Sequence, residues 1–249
     1  MVDIHCHILP AVDDGAWDLD ASVNMARIAE ACGVKTIIAT PHFKGTMASL
    51  KELPQIMHQF RVLRQAIKEA SLELELIPGA EVLCLPQTIE LARRDFLPTL
   101  GDSRYVLTEF YFDASSLYMD ATLEELRRLG YSPVLAHPER YGAVQREPEL
   151  VQRWFEQGIV IQVNKGSVLG AFGQRAEDAA MRLLHRGVVH IIASDAHGPE
   201  ARTPNLEPVR RWCLNHLGQE YTQILLEDNP SRITAGESMH GTSRRNQAF

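Results

Sequence analysis

Short apolar runs rich in β-branched residues alternate along this chain with amphipathic stretches of helical period. The apolar runs predict seven strands, at residues 2–6, 36–39, 74–77, 105–108, 133–136, 160–163 and 189–193. The stretches between them predict helices at 21–32, 53–69, 87–94, 123–129, 149–156 and 175–186, followed by a last helical region at about 206–226. Strands that alternate with helices in this way indicate a parallel sheet.

Seven strands are one fewer than in the usual eight-stranded barrel. We therefore expect an α/β fold, a distorted seven-stranded (β/α) barrel similar to a TIM barrel. An open doubly wound sheet is the alternative, but it would place the first strand centrally and a terminal strand at an edge. Residues 1–238 are expected to form a single domain. The polar, aperiodic segment 239–249 is expected to be a mobile C-terminal tail.

Composition narrows the class of protein. The chain has 249 residues, of which 45% are hydrophobic and 23% charged, and a formal net charge of −7 that disfavours nucleic-acid binding. No apolar stretch approaches the roughly 20 residues of a membrane span, so no membrane insertion is expected. The N-terminus lacks the pattern of a signal peptide, and the four cysteines show no C-x-x-C spacing. We therefore expect a cytoplasmic protein with reduced thiols.

Metal-type ligands follow nearly every predicted strand. Alternate side chains of a strand share a face, which pairs His5 with His7 and Asp195 with His197 at the two ends of the chain. The two pairs can meet only if the fold brings the first and last strands together. Four of the other five predicted strands are followed by His42, Glu81, Glu109 and His137.

Eight such groups at one rim indicate a metal centre, although any one of them alone would be an ordinary loop residue. Burying them together without a cation would be costly. Imidazoles mixed with carboxylates suit Mn, Fe or Zn, and eight ligands fit two or three ions with bridging carboxylates. The residue types leave the choice among these metals open.

Cys6 lies between two of the histidines and is expected on the opposite face, as a small residue packed against a helix. A cysteine phosphatase would need an arginine six residues after its nucleophile. The residues at that distance from the four cysteines are Val12, Ile38, Glu90 and Gln219. A cysteine nucleophile of that type is therefore excluded.

Two arginines and one aspartate are the candidate catalytic residues. Arg140 and Arg202 follow metal-type ligands on two rim loops, where guanidinium groups could clamp phosphate oxygens. Asp14, in the loop after the first strand, is either a helix or turn cap or a proton-handling carboxylate beside the metals.

These motifs together resemble a known family. The set His5-Cys6-His7, Thr40-Pro41-His42, Gly79-Ala80-Glu81, Glu109, His137-Pro138-Glu139-Arg140 and Ser194-Asp195-Ala196-His197 is similar to the polymerase-and-histidinol-phosphatase (PHP) superfamily of metal-dependent phosphoesterases. Within it, His7 to Ala16, His137 to Tyr141 and Asp228-Asn229-Pro230 resemble the bacterial manganese-dependent protein-tyrosine phosphatases of capsule and exopolysaccharide operons. The chain departs from that pattern at Ala11, where the family usually has Gly, and at Tyr111-Phe112-Asp113.

The resemblance implies the PHP fold, a trinuclear centre with manganese favoured, and hydrolysis of phosphotyrosine by a metal-activated hydroxide. It also implies a phosphotyrosine-bearing partner, the C-terminal tail of a bacterial tyrosine kinase that controls capsule synthesis. A small-molecule phosphatase of histidinol-phosphate type is the alternative enzyme. A non-catalytic metal-binding protein that has kept the fold is the alternative outside enzymes.

Overall fold

A computed structural model describes residues 1–239. Every strand pair in it is parallel, as the alternation of strands and helices predicts. The described residues form a three-stranded sheet of order β1-β2-β4 and a six-stranded sheet of order β3-β5-β6-β7-β8-β9. The strands are β1 Val2–Cys6, β2 Thr36–Ala39, β3 His42–Lys44, β4 Glu75–Pro78, β5 Glu81–Leu83, β6 Tyr105–Glu109, β7 Ser132–Ala136, β8 Val160–Asn164 and β9 Ile191–Ala193.

The α/β class with parallel sheets is confirmed, but the predicted count of seven strands in a closed barrel is not. The two extra strands arise because two predicted strands resume after a short interruption, at Thr40-Pro41 and at Gly79-Ala80. Pro41 has no backbone N–H to donate to a neighbouring strand, so the ladder breaks there. The break separates the pairing of β2 with β4 from that of β3 with β5.

The first and last strands, β1 and β9, meet at their carboxyl ends. The backbone N–H of His7 donates to the carbonyl of Ala196 at 2.9 Å, and that of Asp195 donates to the carbonyl of His5 at 2.8 Å. Cys6 and Ala196 form an isolated parallel bridge. The meeting of the first and last strands, predicted from the two ligand pairs, is confirmed.

The helices follow the apolar periodicity of the sequence. In the helix 53–69, Ile56, Phe60, Leu63 and Ile67 recur at helical spacing and are all buried. The helices are α1 Leu19–Ala31, α2 Leu53–Glu69, α3 Thr88–Arg93, α4 Ser116–Arg128, α5 Gly142–Arg146, α6 Glu149–Glu156, α7 Lys165–Val168, α8 Gln174–His185, α9 Glu207–Leu217, α10 Gln219–Gln223 and α11 Asn229–Thr234. Single 3-10 turns lie at Met47–Lys51 and Pro138–Arg140, and a π-helical turn lies at Ile224–Asp228.

Two helical regions differ from the prediction by more than two residues. The helix α4 begins seven residues earlier than expected, because Ser115 caps it by accepting the N–H of Tyr118 and Met119 extends the buried face of Leu123 and Leu126 by one turn. The region expected to be continuous over 206–226 breaks at Gly218, whose φ of 85° lies in the left-handed region that ends a helix.

The core consists of two apolar clusters. The larger lies between the strands and the helices and includes Cys6. The smaller gathers strand residues such as Leu107, Val160 and Ile191, and continues along the same strand faces towards the polar residues at the carboxyl ends. The polar residues at the carboxyl ends of the strands therefore pack above this smaller apolar cluster.

Three further points from the sequence can be compared with the structure: the departure at Ala11, the membrane and the C-terminal segment. Ala11 has a φ of 54°, a conformation in which a glycine is unstrained and an alanine is not. Within residues 1–239, none of the helices combines the length and hydrophobicity of a membrane span. The tail predicted for 239–249 lies outside the described residues, apart from Met239.

Candidate metal centre

All eight predicted ligands come together at the carboxyl ends of the strands. Neighbouring parallel strands have their carboxyl ends at the same edge of a sheet, so the residues that follow each strand can place their side chains there. His5 lies in β1 and His7 follows it; His42 and Glu81 come after β2 and β4, at the first residues of β3 and β5. Glu109 ends β6, and the remaining ligands, His137, Asp195 and His197, follow β7 and β9.

The most buried part of the centre surrounds Glu81. The Nε2 atoms of His5 and His7 lie 3.2 Å apart. Glu81 Oε1 is 3.2 Å from His5 Nε2, and Glu81 Oε2 is 3.3 Å from His7 Nε2. Asp195 Oδ1 is 3.5 Å from the first nitrogen and 3.6 Å from the second. Four side chains therefore converge on one point that solvent does not reach.

A second part of the centre uses the same glutamate. Glu81 Oε2 lies 3.1 Å from His42 Nδ1, and Oε1 lies 3.0 Å from His137 Nε2. Glu109 is 3.7 Å from each of these imidazoles through its two oxygens. Glu81 can thus bridge two neighbouring ions.

The outermost part of the centre is open to solvent. Asp14 Oδ1 lies 3.3 Å from His42 Nε2 and 3.5 Å from His197 Nε2. The side chain of Asp14 is 68% exposed and that of His42 is 40% exposed, whereas Glu81 is 1% exposed. Asp14, predicted as a cap or a proton-handling group, lies among the metal-type ligands.

Three groups of donors could each hold an ion. In each group the ligand atoms lie within 4.8 Å of one another, and the groups share His7, His42 and Glu81. The donors are imidazole nitrogens and carboxylate oxygens without a thiolate, a set that suits borderline to hard divalent ions. The groups are His5 with His7 and Glu81, His42 with Glu81 and Glu109, and His7 with Asp14, His42 and His197.

The electrostatics of the centre favour a cation. Burial by itself would lower the pKa of His5, but Glu81 and Asp195 outweigh it and raise that pKa to about 9. Burial would also lower the pKa of His7, but Asp13 and Glu81 outweigh this effect and raise that pKa to about 10. The pKa of Glu81 lies well below its usual range, because the surrounding imidazoles overcome the effect of its burial. The carboxylates therefore hold positive charge here, which divalent ions supply when the imidazoles are neutral.

The loop after β1 orients His7. Asp13 Oδ2 accepts the Nδ1–H of His7 at 2.8 Å and the backbone N–H of His42 at 2.9 Å, which leaves His7 Nε2 directed at the centre. Burial alone would raise the pKa of Asp13, but the bond with His7 lowers that pKa to about 2. A β-carbon on Gly15 would lie 2.1 Å from the carbonyl oxygen of His7, so only glycine allows this loop to pack on the histidine.

A chain of hydrogen bonds on β8 orients His5 and Asp195, and sequence reasoning missed it. The Nδ1 of His5 lies 2.9 Å from Gln162 Oε1, whose amide nitrogen donates to Asn164 Oδ1 at 2.8 Å. The amide of Asn164 in turn donates to Asp195 Oδ2 at 2.5 Å. The available signal was two polar residues spaced two apart in a strand buried along its whole length.

The two candidate phosphate-binding arginines lie over the same carboxylate. Arg202 Nη2 is 2.7 Å from Asp195 Oδ2, and Arg140 Nη1 is 3.4 Å from it. The guanidinium carbon of Arg140 lies 4.5 Å from the ring centres of both Phe112 and Phe172, and that of Arg202 lies 5.5 Å from the ring centre of Phe172. These cation–π contacts fix both arginines at the rim. The two aromatic partners were not predicted.

A buried lysine holds the loop that carries Arg202. Lys165 donates to the carbonyls of Thr203 and Asn205, the latter at 2.8 Å. Burial lowers its pKa from the ordinary value. The backbone is also strained at three residues of the site. His137, Asp195 and Arg202 all have φ between 35° and 49°. Such strain is typical of sites whose side chains must point in one direction.

Cys6 has no part in the centre. It is buried within the larger apolar cluster, and burial raises the pKa of its thiol well above the usual range. Its backbone N–H donates to Thr40 Oγ1 at 2.9 Å. The interpretation of Cys6 as a core residue agrees with this packing.

Comparison with known proteins adds a family and relatives. The family model for capsular polysaccharide synthesis proteins of the CpsB/CapC type matches residues 1–235. The tyrosine-protein phosphatase YwqE of Bacillus subtilis is 36% identical over 234 residues, which cover 92% of this chain and 89% of the relative. The tyrosine-protein phosphatase CpsB of Streptococcus pneumoniae is 32% identical over 238 residues, or 94% of this chain and 98% of that protein.

Solved structures agree with this grouping. One from the work on YwqE of Bacillus subtilis and CpsB of Streptococcus pneumoniae, described there as unique metal-dependent tyrosine phosphatases, superposes with a TM-score of 0.86. It is 32% identical and the match covers 96% of both chains. The lactonase Lmo2620 of Listeria monocytogenes matches with a TM-score of 0.56 at 14% identity over 94% of both chains, which shows a shared fold alone.

Proposed function

The chain belongs to the CpsB/CapC family of capsular polysaccharide synthesis proteins, and from that premise we propose that it is a metal-dependent protein-tyrosine phosphatase. The observation that carries the proposal is the convergence of three histidine–carboxylate groups with two arginines at one rim. Both features suit a phosphomonoester, since its dianionic phosphoryl group must be held while a water attacks phosphorus.

We propose that the eight residues predicted from the strand ends are the metal ligands. They are His5, His7, His42, Glu81, Glu109, His137, Asp195 and His197. The sharing of Glu81, His7 and His42 among three donor groups supports two or three ions, and we propose manganese as the native metal. Divalent ions, when bound, lower the pKa of coordinated water and neutralise charge on phosphoryl oxygens.

Arg140 and Arg202 hold the phosphoryl group in this proposal. Their guanidinium groups both approach Asp195 Oδ2, which supports a common direction towards the centre. Two guanidinium forks fixed by aromatic rings can bind non-bridging oxygens without reorganising during the reaction. The hydrolysis then breaks the bond between phosphorus and the phenolic oxygen and releases tyrosine and inorganic phosphate.

Asp14 is proposed to protonate the leaving phenolate. Its exposure supports exchange of protons with solvent, but its contacts with His42 and His197 also suit a metal ligand. Substrates with different leaving groups separate the two roles. If Asp14 is the acid, the loss of kcat in Asp14→Asn grows with the pKa of the leaving group, whereas a ligand role lowers kcat equally for all aryl phosphates.

The substrate we propose is a phosphotyrosine on the C-terminal tail of a bacterial tyrosine kinase that controls capsule or exopolysaccharide synthesis. We propose the cytoplasm as the compartment, and four free cysteines support a reducing environment. The tyrosine-phosphatase names of the relatives favour this substrate class over histidinol phosphate.

The decisive experiment combines metal removal with a choice of substrate. Purified protein is stripped with a chelator, assayed on a phosphotyrosyl peptide and on histidinol phosphate, and assayed again after addition of Mn²⁺, Fe²⁺ or Zn²⁺. We expect loss of peptide hydrolysis, recovery with Mn²⁺, and little turnover of histidinol phosphate. Hydrolysis that survives complete metal removal would contradict the proposal.

A further inference from the structure

A cleft of about 430 Å³ lies between α5 and α8, outside the metal centre. Its walls carry three exposed arginines, Arg146, Arg175 and Arg182, and one acidic residue, Asp178. The chain as a whole has a net charge of −7, whereas the three guanidinium groups make the surface of this cleft locally positive. A local reversal of this kind attracts anions.

The positive charge of this cleft is offset only in part from within the protein, since Asp178 lines the cleft and Glu149 interacts electrostatically with Arg182. None of the three arginines forms an ion pair or a side-chain hydrogen bond with another described residue. The nearby Arg186, by contrast, is paired with Glu149 at 2.6 Å. Asp178 accepts the side-chain amide of Gln174 at 2.9 Å. The cleft therefore offers three unpaired cations to a ligand.

The cleft adjoins the rim of the metal centre. Gly142, in its wall, follows Arg140 by two residues and donates its N–H to the carbonyl of Phe112 at 2.9 Å. A β-carbon on Gly142 would lie 3.2 Å from Arg146 Nη1 and 3.5 Å from that carbonyl oxygen. The ring of Phe112 packs on Arg140, so the head of Arg146 borders the same short segment that supports the proposed phosphate clamp.

We propose that this arginine cleft (Arg146, Arg175 and Arg182) binds the anionic residues that flank the phosphotyrosine of the protein substrate. The inference rests on the proposed phosphatase function and adds a second point of recognition to it. An extended peptide advances about 3.3–3.6 Å per residue, so side chains a few positions from the phosphotyrosine can reach a cleft that begins next to Arg140. Glutamates, aspartates or a second phosphorylated residue provide the complementary charge.

The experiment compares two peptides that carry one phosphotyrosine, one with serine flanks and one with glutamate flanks on both sides. The cleft variant is the double substitution Arg175→Gln, Arg182→Gln. The matched control is Arg61→Gln, Arg64→Gln, which removes the same charge from exposed arginines of α2 that line a cleft at the beginning of β4, at the opposite end of the strands. Steady-state kcat and KM are measured with both peptides and with p-nitrophenyl phosphate.

In the unsubstituted protein we expect a lower KM for the acidic peptide than for the neutral one. The cleft variant should raise the KM of the acidic peptide about 5- to 10-fold, with kcat and the KM of the neutral peptide within about twofold. The increase should shrink at high salt, because salt screens charges on exposed side chains. The control variant should leave the preference for the acidic peptide intact.

Equal KM values for the two peptides in the unsubstituted protein would overturn the proposal, and so would an equal rise in the control variant. Absence of turnover on every peptide would instead overturn the phosphatase function. Fluorescence anisotropy with acidic and neutral peptides that carry a non-hydrolysable phosphonate tests the cleft in that case. Equal affinity of the two peptides would then exclude the cleft as a docking site.

Discussion

The two ends of the parallel strands hold histidines with opposite properties. At the carboxyl ends, carboxylates raise the pKa of buried His5 to about 9 and that of buried His7 to about 10. At the amino end of β9, burial lowers the pKa of His190 to about 4. Its Nδ1 accepts the backbone N–H of Ile161 at 3.0 Å, and its ring stacks on Phe155.

The difference shows that nearby carboxylates decide the charge of buried His5 and His7. His197 of the same centre behaves otherwise, because burial, His7 and Arg202 lower its pKa to about 4 in spite of Asp195 and Asp14. His190 has no carboxylate partner among the described residues, so it stays neutral and serves as a packed hydrogen-bond acceptor. His5 and His7 of the metal centre are buried as well but face Glu81, Asp195 and Asp13. One end of the strands therefore offers donor groups that could hold cations, whereas the histidine at the other end contributes a hydrogen bond and packing.

Removal of the carboxylate of Glu81, which the donor groups share, should have the largest effect on the carboxyl end of the strands. In Glu81→Gln the two ions that Glu81 can bridge lose a common ligand, and we expect kcat on a phosphotyrosyl peptide to fall about 10³-fold or more. Metal analysis should show fewer ions per chain. Far-ultraviolet circular dichroism serves as the control for folding. A Glu81→Gln protein with full metal content and activity would show that this carboxylate is not central.

The arginine clamp tests whether the carboxyl end also binds phosphate. Arg140→Lys keeps the charge but loses the planar fork and its stacking between Phe112 and Phe172, so we expect a fall of about 10²-fold in kcat/KM. Metal content should remain unchanged, and inorganic phosphate should inhibit more weakly. Loss of metal in this variant would instead assign Arg140 a structural role at the centre.

The hydrogen-bond chain on β8 should have a smaller effect. Gln162→Leu removes the acceptor for His5 Nδ1 and breaks the link to Asn164, and we expect the affinity for the metal to fall about 10- to 100-fold. Activity should recover at high metal concentration. Gln162→Glu, which keeps an acceptor for His5, should bind metal more tightly than the leucine variant. Equal affinities of the two variants would show that this bond does not orient His5.

The smallest effect on activity is expected at the amino end. In His190→Asn the amide oxygen can still accept the N–H of Ile161, so turnover at neutral pH should be unchanged. The effect concerns stability in acid. Because the folded pKa of His190 is about 4, below its ordinary value, the unfolded chain binds a proton first as the pH falls from about 6.5 towards 4.

The stability that neutral His190 contributes is therefore present above about pH 6.5 and is lost as the pH falls towards 4. We expect the free energy of unfolding of the parent protein, relative to His190→Asn, to decrease by about 2–3 kcal/mol over this interval. Urea unfolding at several pH values measures the difference. A difference that does not change with pH would show that His190 titrates normally.

Much of the fold and the centre could be predicted from local pattern. The strand bounds of β1 and β2 and the helix α2 follow from apolar periodicity, which reports directly which side chains are buried. Ligand positions were accessible because each follows an apolar run. The strands β3 and β5 could not be predicted, because each is three residues long and begins at a ligand.

The supporting residues were harder to predict because their partners are distant in sequence. Gln162 is 157 residues from His5, to which it is hydrogen-bonded, and Lys165 is 38 residues from Thr203. Apart from the spacing of Gln162 and Asn164 in a fully buried strand, no local pattern distinguishes such residues from other polar groups. The placement of Phe172 against both arginines depends likewise on how three loops pack.

The sequence by itself determined the order of strands and helices, the residues at the strand ends and the chemistry that these residue types allow, because burial and side-chain alternation are local properties. The tertiary structure decided which donors share an ion, how Asp13 and Gln162 orient the imidazoles, and where the arginine cleft lies. Apart from the local bond between His7 and Asp13, which are six residues apart, those features depend on distances between segments far apart in sequence, such as His5 and Gln162 at 157 residues. Only the packing of the two sheets and their helices sets such distances.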